Sequence, residues 1–246
     1  MNVFLIRHAE SANNRIAENT DYASFIATRS HDPEITDVGE KQAEALAAHL
    51  AMTTYPAFGN RGQAPLSGYG ITRIVCSPMV RTLQTAAPTA KALGLPLEVW
   101  LDIHEQGGLF TGNPQDEAGV ISFPGLTRAQ MTERFGALLL PNTVTEAGWW
   151  RGGYEELAEC ELRAATVAEQ LHALAGEAPN MRLAFVSHGT FLNQLLRALL
   201  GLSAQAPMHF FHANTGITHV EFMGEGFRAL HYSNRTAHLP PALMTR

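Results

Sequence analysis

Short apolar runs rich in valine, isoleucine and phenylalanine alternate along the chain with longer stretches whose apolar residues recur every three or four positions. The first pattern marks strands buried on both faces and the second marks helices that cover them, so the alternation predicts an α/β domain with a mainly parallel sheet. The strand candidates are Asn2 to Arg7, Thr72 to Ser77, Leu95 to Trp100, Met181 to Ser187, Ile217 to Phe222 and Phe227 to Tyr232. Between several of them lie helices with their own start and stop signals. Thr36-Asp37 caps a helix running to about Leu50. Ser77-Pro78 supplies N-cap and first turn for a second, with Met79, Leu83, Ala86, Ala90 and Leu93 on one face and Gly94 behind it. A third runs from about Glu155 to Ala175 with Gly176 as its stop, and a fourth starts near Thr190, carries Leu192, Leu195, Leu196 and Leu199, and ends at Gly201.

Two stretches break the pattern. Residues 52–71 are rich in glycine and proline and predict a long surface loop. Residues 106–153 mix glycine, proline and aromatics with one helical fragment around Thr127 to Phe135, and predict an insertion over the edge of the sheet. With no internal repeat, the expectation is one domain over residues 1–246 with that insertion inside it.

Composition narrows the class. The 246 residues are 46% hydrophobic and 16% charged, enough to bury a core. A net charge of −6 leaves no electrostatic footprint for DNA or RNA. Two cysteines, Cys76 and Cys160, make no disulfide framework and point to a reducing compartment. No apolar run approaches the ~18 residues a membrane span needs, and Arg7 and His8 follow too soon after Met1 for a signal peptide, so the expected location is cytoplasmic, away from membranes. An oligomer is compatible with the sequence.

Three strands end in residues that plain packing does not demand: Leu5-Ile6-Arg7-His8, Val75-Cys76-Ser77 leading to Arg81, and Val186-Ser187-His188-Gly189. Ligands of an open parallel sheet bind outside the carboxyl ends of its strands, where a helix N-terminus favours an anion. Two arginines and two histidines converging there would make a phosphate site, since the arginine fork donates paired hydrogen bonds and stays charged. A histidine beside it can act as a nucleophile that splits one hard transfer into two easier steps. Each histidine alone is more simply a satisfied polar residue, but the arginine that accompanies each reverses that balance, because unpaired buried charge costs several kcal/mol. His209 and His212, three apart, lack the carboxylate or cysteine company of a zinc site.

The run Leu5-Ile6-Arg7-His8-Ala9-Glu10-Ser11-Ala12-Asn13 resembles the signature of the histidine phosphatase superfamily, also called phosphoglycerate mutase-like. Ile35 to Ala43, Cys76 to Ala86 and Ser187-His188-Gly189 resemble its next three segments, in the family order. The resemblance implies a three-layer α/β/α fold with an inserted lid and no cofactor or metal. It further implies His8 as phosphoacceptor, Arg7, Arg81 and His188 as ligands of the phosphoryl oxygens, and Asn13 beside the pocket. Ala9 stands where the family usually has glycine. The family's proton donor is an acidic residue after a middle strand. Glu105 fits that role, although the spacing to Gly108 is one residue shorter than usual and puts His104 at the counted position. Glu10 corresponds to an acidic residue that is not the catalytic one, Arg15 reaches substrate or solvent, and Asn214-Thr215 resembles a position near the pocket.

Within the lid segment Arg128, Arg134 and Arg151 are the cations, while Leu109, Phe110, Phe123, Phe135, Trp149 and Trp150 offer apolar surface either to a ligand or to the lid's own core. A mutase that turns a doubly phosphorylated acid needs more cations than these. The expected activity is therefore a metal-independent phosphatase acting on small phosphomonoesters through a phosphohistidine on His8. The rivals are a phosphoglycerate mutase-type phosphotransferase, a catalytically silent phosphate-binding module, and a metal-dependent hydrolase.

Overall fold

Alternate residues of the central strands point to opposite faces and bury completely on both. In a computed structural model, which describes residues 1–52, 68–116, 119–203 and 205–246, strand β1 (Asn2–Arg7) sends Phe4 and Ile6 to one cluster and Val3 and Leu5 to the other. At about 1.5–3 kcal/mol for each fully buried side chain of this kind, the pattern commits β1 to the centre of a sheet. The other elements follow in chain order: α1 (Ala12–Asn19), α2 (Tyr22–Thr28), α3 (Asp37–Leu50), β2 (Arg73–Cys76), α4 (Val80–Leu93), β3 (Leu97–Val99), β4 (Phe110–Gly112), β5 (Val120–Ser122), α5 (Arg128–Phe135), β6 (Leu138–Leu139), α6 (Leu157–Glu177), β7 (Arg182–Ser187), α7 (Gly189–Leu199), β8 (Ile217–Phe222) and β9 (Arg228–Arg235).

Seven strands form the main sheet in the order β6-β3-β2-β7-β1-β8-β9, parallel from β6 to β1 and antiparallel at β8 and β9. Helices α3 and α4 cover the face bearing Phe4, Ile74 and Val186, while α6 and α7 cover the face bearing Leu5, Phe185 and Val220. This is the expected α/β/α arrangement. Strand β7 enters between β1 and β2, so the carboxyl ends of the three motif-bearing strands stand side by side.

All six expected strands form, β9 running on to Arg235. Two helix boundaries differ from expectation for local reasons. Helix α4 starts at Val80 with Met79 as N-cap, because the Ser77 hydroxyl is engaged by His188. Helix α6 passes through Gly176 to Glu177 and ends before Pro179, whose ring disfavours helical backbone at the preceding residue. The insertion also does more than lie over the edge: β4 and β5 form a separate ribbon, and β6 pairs with β3 as the sheet's last strand. Of its aromatics, Phe110 and Trp149 are buried, and Trp149, Phe123, Phe135 and Trp150 pack on the α3–α4 side core, so most of that surface serves the fold. The loop expected over residues 52–71 lies for the most part outside the described residues. No helix among the described residues is long and apolar enough to cross a membrane.

Candidate active site

Strand β1 ends in Arg7 and delivers His8 into a buried position, 3% exposed. The His8 ring is oriented by its own main chain: Nδ1 lies 2.7 Å from the Ala9 carbonyl oxygen and donates to it, which leaves Nε2 as the lone-pair nitrogen. The Arg81 Nε–H, from the first turn of α4, points at that nitrogen from 3.1 Å. Ala9 needs no left-handed backbone here, so the missing glycine changes nothing in the chain path. Burial, with the charges of Arg81 and Arg7 added, holds His8 well below the ordinary imidazole range, so the ring is neutral.

Strand β7 delivers the second histidine in the same way. His188 is the N-cap residue of α7, fully buried, its ring centroid 5.2 Å from that of His8. Its Nε2 meets the Ser77 hydroxyl at 2.8 Å, and the same hydroxyl accepts from the Met79 N–H at 3.3 Å. His188 Nδ1 is a buried atom with no partner, and it carries the ring proton in the tautomer in which Ser77 donates to Nε2.

Arg7 donates to the His212 carbonyl at 2.7 Å, while its Nε is buried with no partner; burial lowers the guanidinium to about 10, still charged at neutral pH. Gly189 at the start of α7 lies against this guanidinium, where a Cβ would stand 3.5 Å from Nε. The only carboxylate paired with Arg7 or Arg81 among the described residues is Asp32, 3.9 Å from Arg81. Asp32 also accepts from Val80 N at 3.0 Å and caps α4, and burial pushes its carboxyl up to about 6. Two buried cations, two histidines and several unmet donors make a site that an anion completes.

Glu105 sits on the rim of this site at the first turn of α7. Its carboxylate accepts from Phe191 N at 2.9 Å, Thr190 N at 3.2 Å and Gln106 N at 3.0 Å, and its charge reaches both Arg7 and Arg81. His104 turns the other way. Its Nδ1 bonds the Leu101 carbonyl at 2.7 Å, its ring packs 4.6 Å from Trp150, and burial beside Arg163 pushes it down to about 3. Of the two candidate donors, the structure brings Glu105 to the helix end beside His188 and leaves His104 under the lid.

Asn13 is not brought to the pocket. It exchanges hydrogen bonds with Ser30, at 2.8 and 3.0 Å, on the exposed side of α1. The inward residue is Asn14, whose Oδ1 accepts from both the main chain and hydroxyl of Ser11 and faces Asn214 Nδ2 at 3.5 Å. Asn214 in turn donates to the His8 carbonyl at 3.0 Å, and Thr215 N donates to the Arg7 carbonyl at 3.0 Å. The residue with left-handed backbone in this turn is Thr215, φ 56°, a strained conformation for a β-branched side chain that clamps the main chain of Arg7 and His8. Glu10 and Arg15 pair with each other at 3.1 Å, and Arg15 also reaches Asp37. Sequence reasoning missed Asn14, Ser77 and Asp32. Ser77 lies within the second motif and Asn14 one residue past the first, but nothing local marked Asp32. No group of three metal-ligating side chains occurs among the described residues.

Comparison with known proteins bears on the fold and the family. A phosphoglycerate mutase described as probable, GpmB of Yersinia pestis (strain Pestoides F), is 28% identical over 257 residues, covering 99% of this chain and 97% of its own. Among solved structures, the phosphoserine phosphatase of Entamoeba histolytica, in complex with 3-phosphoglyceric acid, superposes with a TM-score of 0.55 at 20% identity, covering 97% of this chain and 99% of that one. A mycobacterial glucosyl-3-phosphoglycerate phosphatase gives 0.57 at 19% identity, with 96% and 99% covered. These likenesses establish a shared fold. The profile of the histidine phosphatase superfamily, branch 1, matches residues 60–235, well over half of the sequence, and the chain belongs to that superfamily.

Proposed function

We propose that the protein is a phosphatase that hydrolyses small phosphomonoesters through a phosphohistidine on His8. The observation that carries this reading is the lone-pair Nε2 of a neutral, buried His8, met by the Arg81 Nε–H at 3.1 Å and lying in the field of Arg7 as well. In the first step Nε2 attacks phosphorus and the bond from phosphorus to the ester oxygen breaks. Glu105 passes a proton to that oxygen as the bond breaks, and the alcohol leaves. In the second step Glu105, now a carboxylate, takes a proton from water as the water oxygen attacks phosphorus, and the P–N bond breaks to release inorganic phosphate. Arg7, Arg81 and the Nδ1–H of His188 hold the three equatorial oxygens, supplying the positive field without calling on a metal.

Hydrolysis is preferred to mutase chemistry because the lid's cations are already engaged. Arg128 donates to the Val144 and Pro141 carbonyls, Arg134 pairs with Glu34 at 2.9 Å, and Arg151 donates to Thr145. The second reading, a phosphotransferase acting on phosphoglycerate, draws on the name of the Yersinia relative. Brief incubation with a labelled phosphoester, quenched in alkali, is expected to trap an acid-labile adduct that disappears in His8→Ala. A competent enzyme with no such adduct, or one that keeps it in His8→Ala, overturns the reading. Isomerisation of phosphoglycerate outpacing hydrolysis in the presence of the bisphosphorylated primer would favour the mutase, and loss of activity on chelation, restored by a divalent ion, would favour a metal-dependent hydrolase.

A further inference from the structure

Glu105 lies between β3 and β4, on a stretch whose regular structure is a single 3-10 turn at Leu101–Ile103. A carboxyl group that must meet a leaving oxygen needs a main chain held in place, because a misplacement of about 1 Å costs up to about 100-fold in rate. Arg163, in the second turn of α6, reaches this stretch from below. Its Nη1 donates to the carbonyl of Asp102 at 2.8 Å and to that of His104 at 3.1 Å, the second being the peptide that leads into Glu105. The same guanidinium lies 4.6 Å over the ring centroid of Phe191, whose N–H is the 2.9 Å donor to the Glu105 carboxylate.

The rest of the fork fixes the guanidinium itself. Nε and Nη2 each donate to one carboxylate oxygen of Glu155 at 2.6 Å, and Nη2 also lies 3.6 Å from the Cys160 sulfur, so all five N–H groups have a target. Glu155 then closes the far side of the loop. Its N–H donates to the Gly107 carbonyl at 3.4 Å, and Gln106 Nε2 donates to its carbonyl at 2.7 Å. One largely buried ion pair thus holds the chain both before and after Glu105. Such pairs add little net stability, since desolvation offsets their attraction, and what they supply is geometry. A pair that merely tied α6 to the end of the insertion would need Glu155 alone; the two Nη1 bonds go to the Glu105 loop.

We propose that Arg163 is a positioning residue for the proton transfer: anchored by Glu155, it fixes the main chain before Glu105 so that the carboxyl group meets the ester oxygen. This deepens the phosphatase reading above and rests on it. Arg163 acts through Glu105 and takes no part in holding the phosphoryl group.

The test compares phenyl phosphate with p-nitrophenyl phosphate, which share a shape and differ in the basicity of the leaving oxygen. Arg163→Lys keeps the charge, which also reaches His188, but an ammonium cannot span two carbonyls and a carboxylate. Its kcat/KM for phenyl phosphate is expected to fall about 10- to 100-fold, while p-nitrophenyl phosphate loses less than about threefold. In the Glu105→Gln background the same substitution should leave the ratio of the two esters unchanged, because no acid remains to misplace. Equal losses on both esters, no loss, or a further fall of the ratio in the Glu105→Gln background would each overturn the proposal. Should Arg163→Lys fail to fold, Glu155→Gln, which keeps the fork and loosens its anchor, is read in the same way. A ratio that moves in Glu105→Gln and not in Arg163→Lys removes the role of Arg163 alone. A ratio that moves in neither removes Glu105 as donor and the proposal with it, and absence of a phosphohistidine removes the phosphatase reading.

Discussion

A nucleophilic imidazole must be neutral and must present the correct nitrogen, and at His8 both conditions come from its immediate surroundings. The Ala9 carbonyl takes the Nδ1 proton, while burial and two arginines exclude the second one. In the proposed reaction the proton for the leaving group then comes from elsewhere, and Glu105 is the carboxyl group placed at the rim for it. Since positioned acids contribute about 10²- to 10⁴-fold in proportion to leaving-group basicity, Glu105→Gln should slow an alkyl phosphate by that order. It should affect p-nitrophenyl phosphate far less, and His8 phosphorylation by that activated ester should remain detectable. Should His104→Gln show this leaving-group dependence and Glu105→Gln not, the donor assignment passes to His104.

At the scale of elements, the 106–153 insertion is joined to the Glu105 loop by close packing around Gly108. Gly108 has φ +71°, and a Cβ on it would stand 2.2 Å from the Trp150 ring, whose other neighbours are His104 and Trp149. Its N–H also donates to the Glu105 carbonyl at 3.1 Å. Gly108→Ala therefore meets both a conformational cost and a clash, together about 2–4 kcal/mol. Its expected signature is a lowered urea midpoint and a loss of kcat larger for alkyl than for aryl phosphates, because the displaced loop carries Glu105. Unchanged stability and kinetics would show that Trp150 moves aside freely. Gly39 plays a comparable part for α3, where a Cβ would stand 2.3 Å from the Glu10 carbonyl that accepts from Thr36.

At the scale of the molecule, burial of neutral imidazoles sets the response to acid. His104 and His219 are pushed down to about 3, His212 and His238 to about 4, and His8 and His188 well below the ordinary value, in each case chiefly by burial. In the unfolded chain all six take up protons near pH 6.5, so below that pH the unfolded state binds more protons than the folded one. Stability is then full above about pH 6.5 and is lost as pH falls, by at most about 1.4 kcal/mol per unit for each ring. Asp32, raised to about 6, works in the opposite direction, one group against six. Urea unfolding should show the midpoint falling steeply from pH 7 to 5, and a flat profile there would mean that these rings are already charged in the folded protein.

The strands, the four long helices and the residues Arg7, His8, Arg81 and His188 are legible in the sequence by itself. Each strand carries its burial on both faces in its own apolar run, and each of these reactive side chains sits at or just beyond the end of such a run. Helices α1 and α2 bury no residue and so leave no apolar stripe to find, while β4, β5 and β6 are two or three residues long and exist through pairing. Tertiary structure decided that Ser77 serves His188 and leaves α4 to begin at Val80, that Asn14 faces inward and Asn13 outward, and that Thr215 clamps the Arg7–His8 main chain from the far end of the chain. It also decided that Asp32, on a loop between two exposed or amphipathic helices, reaches a site built from three strand ends. Periodicity records how a segment buries its own side chains; which side chains then meet depends on how distant segments pack, and no local pattern carries that information.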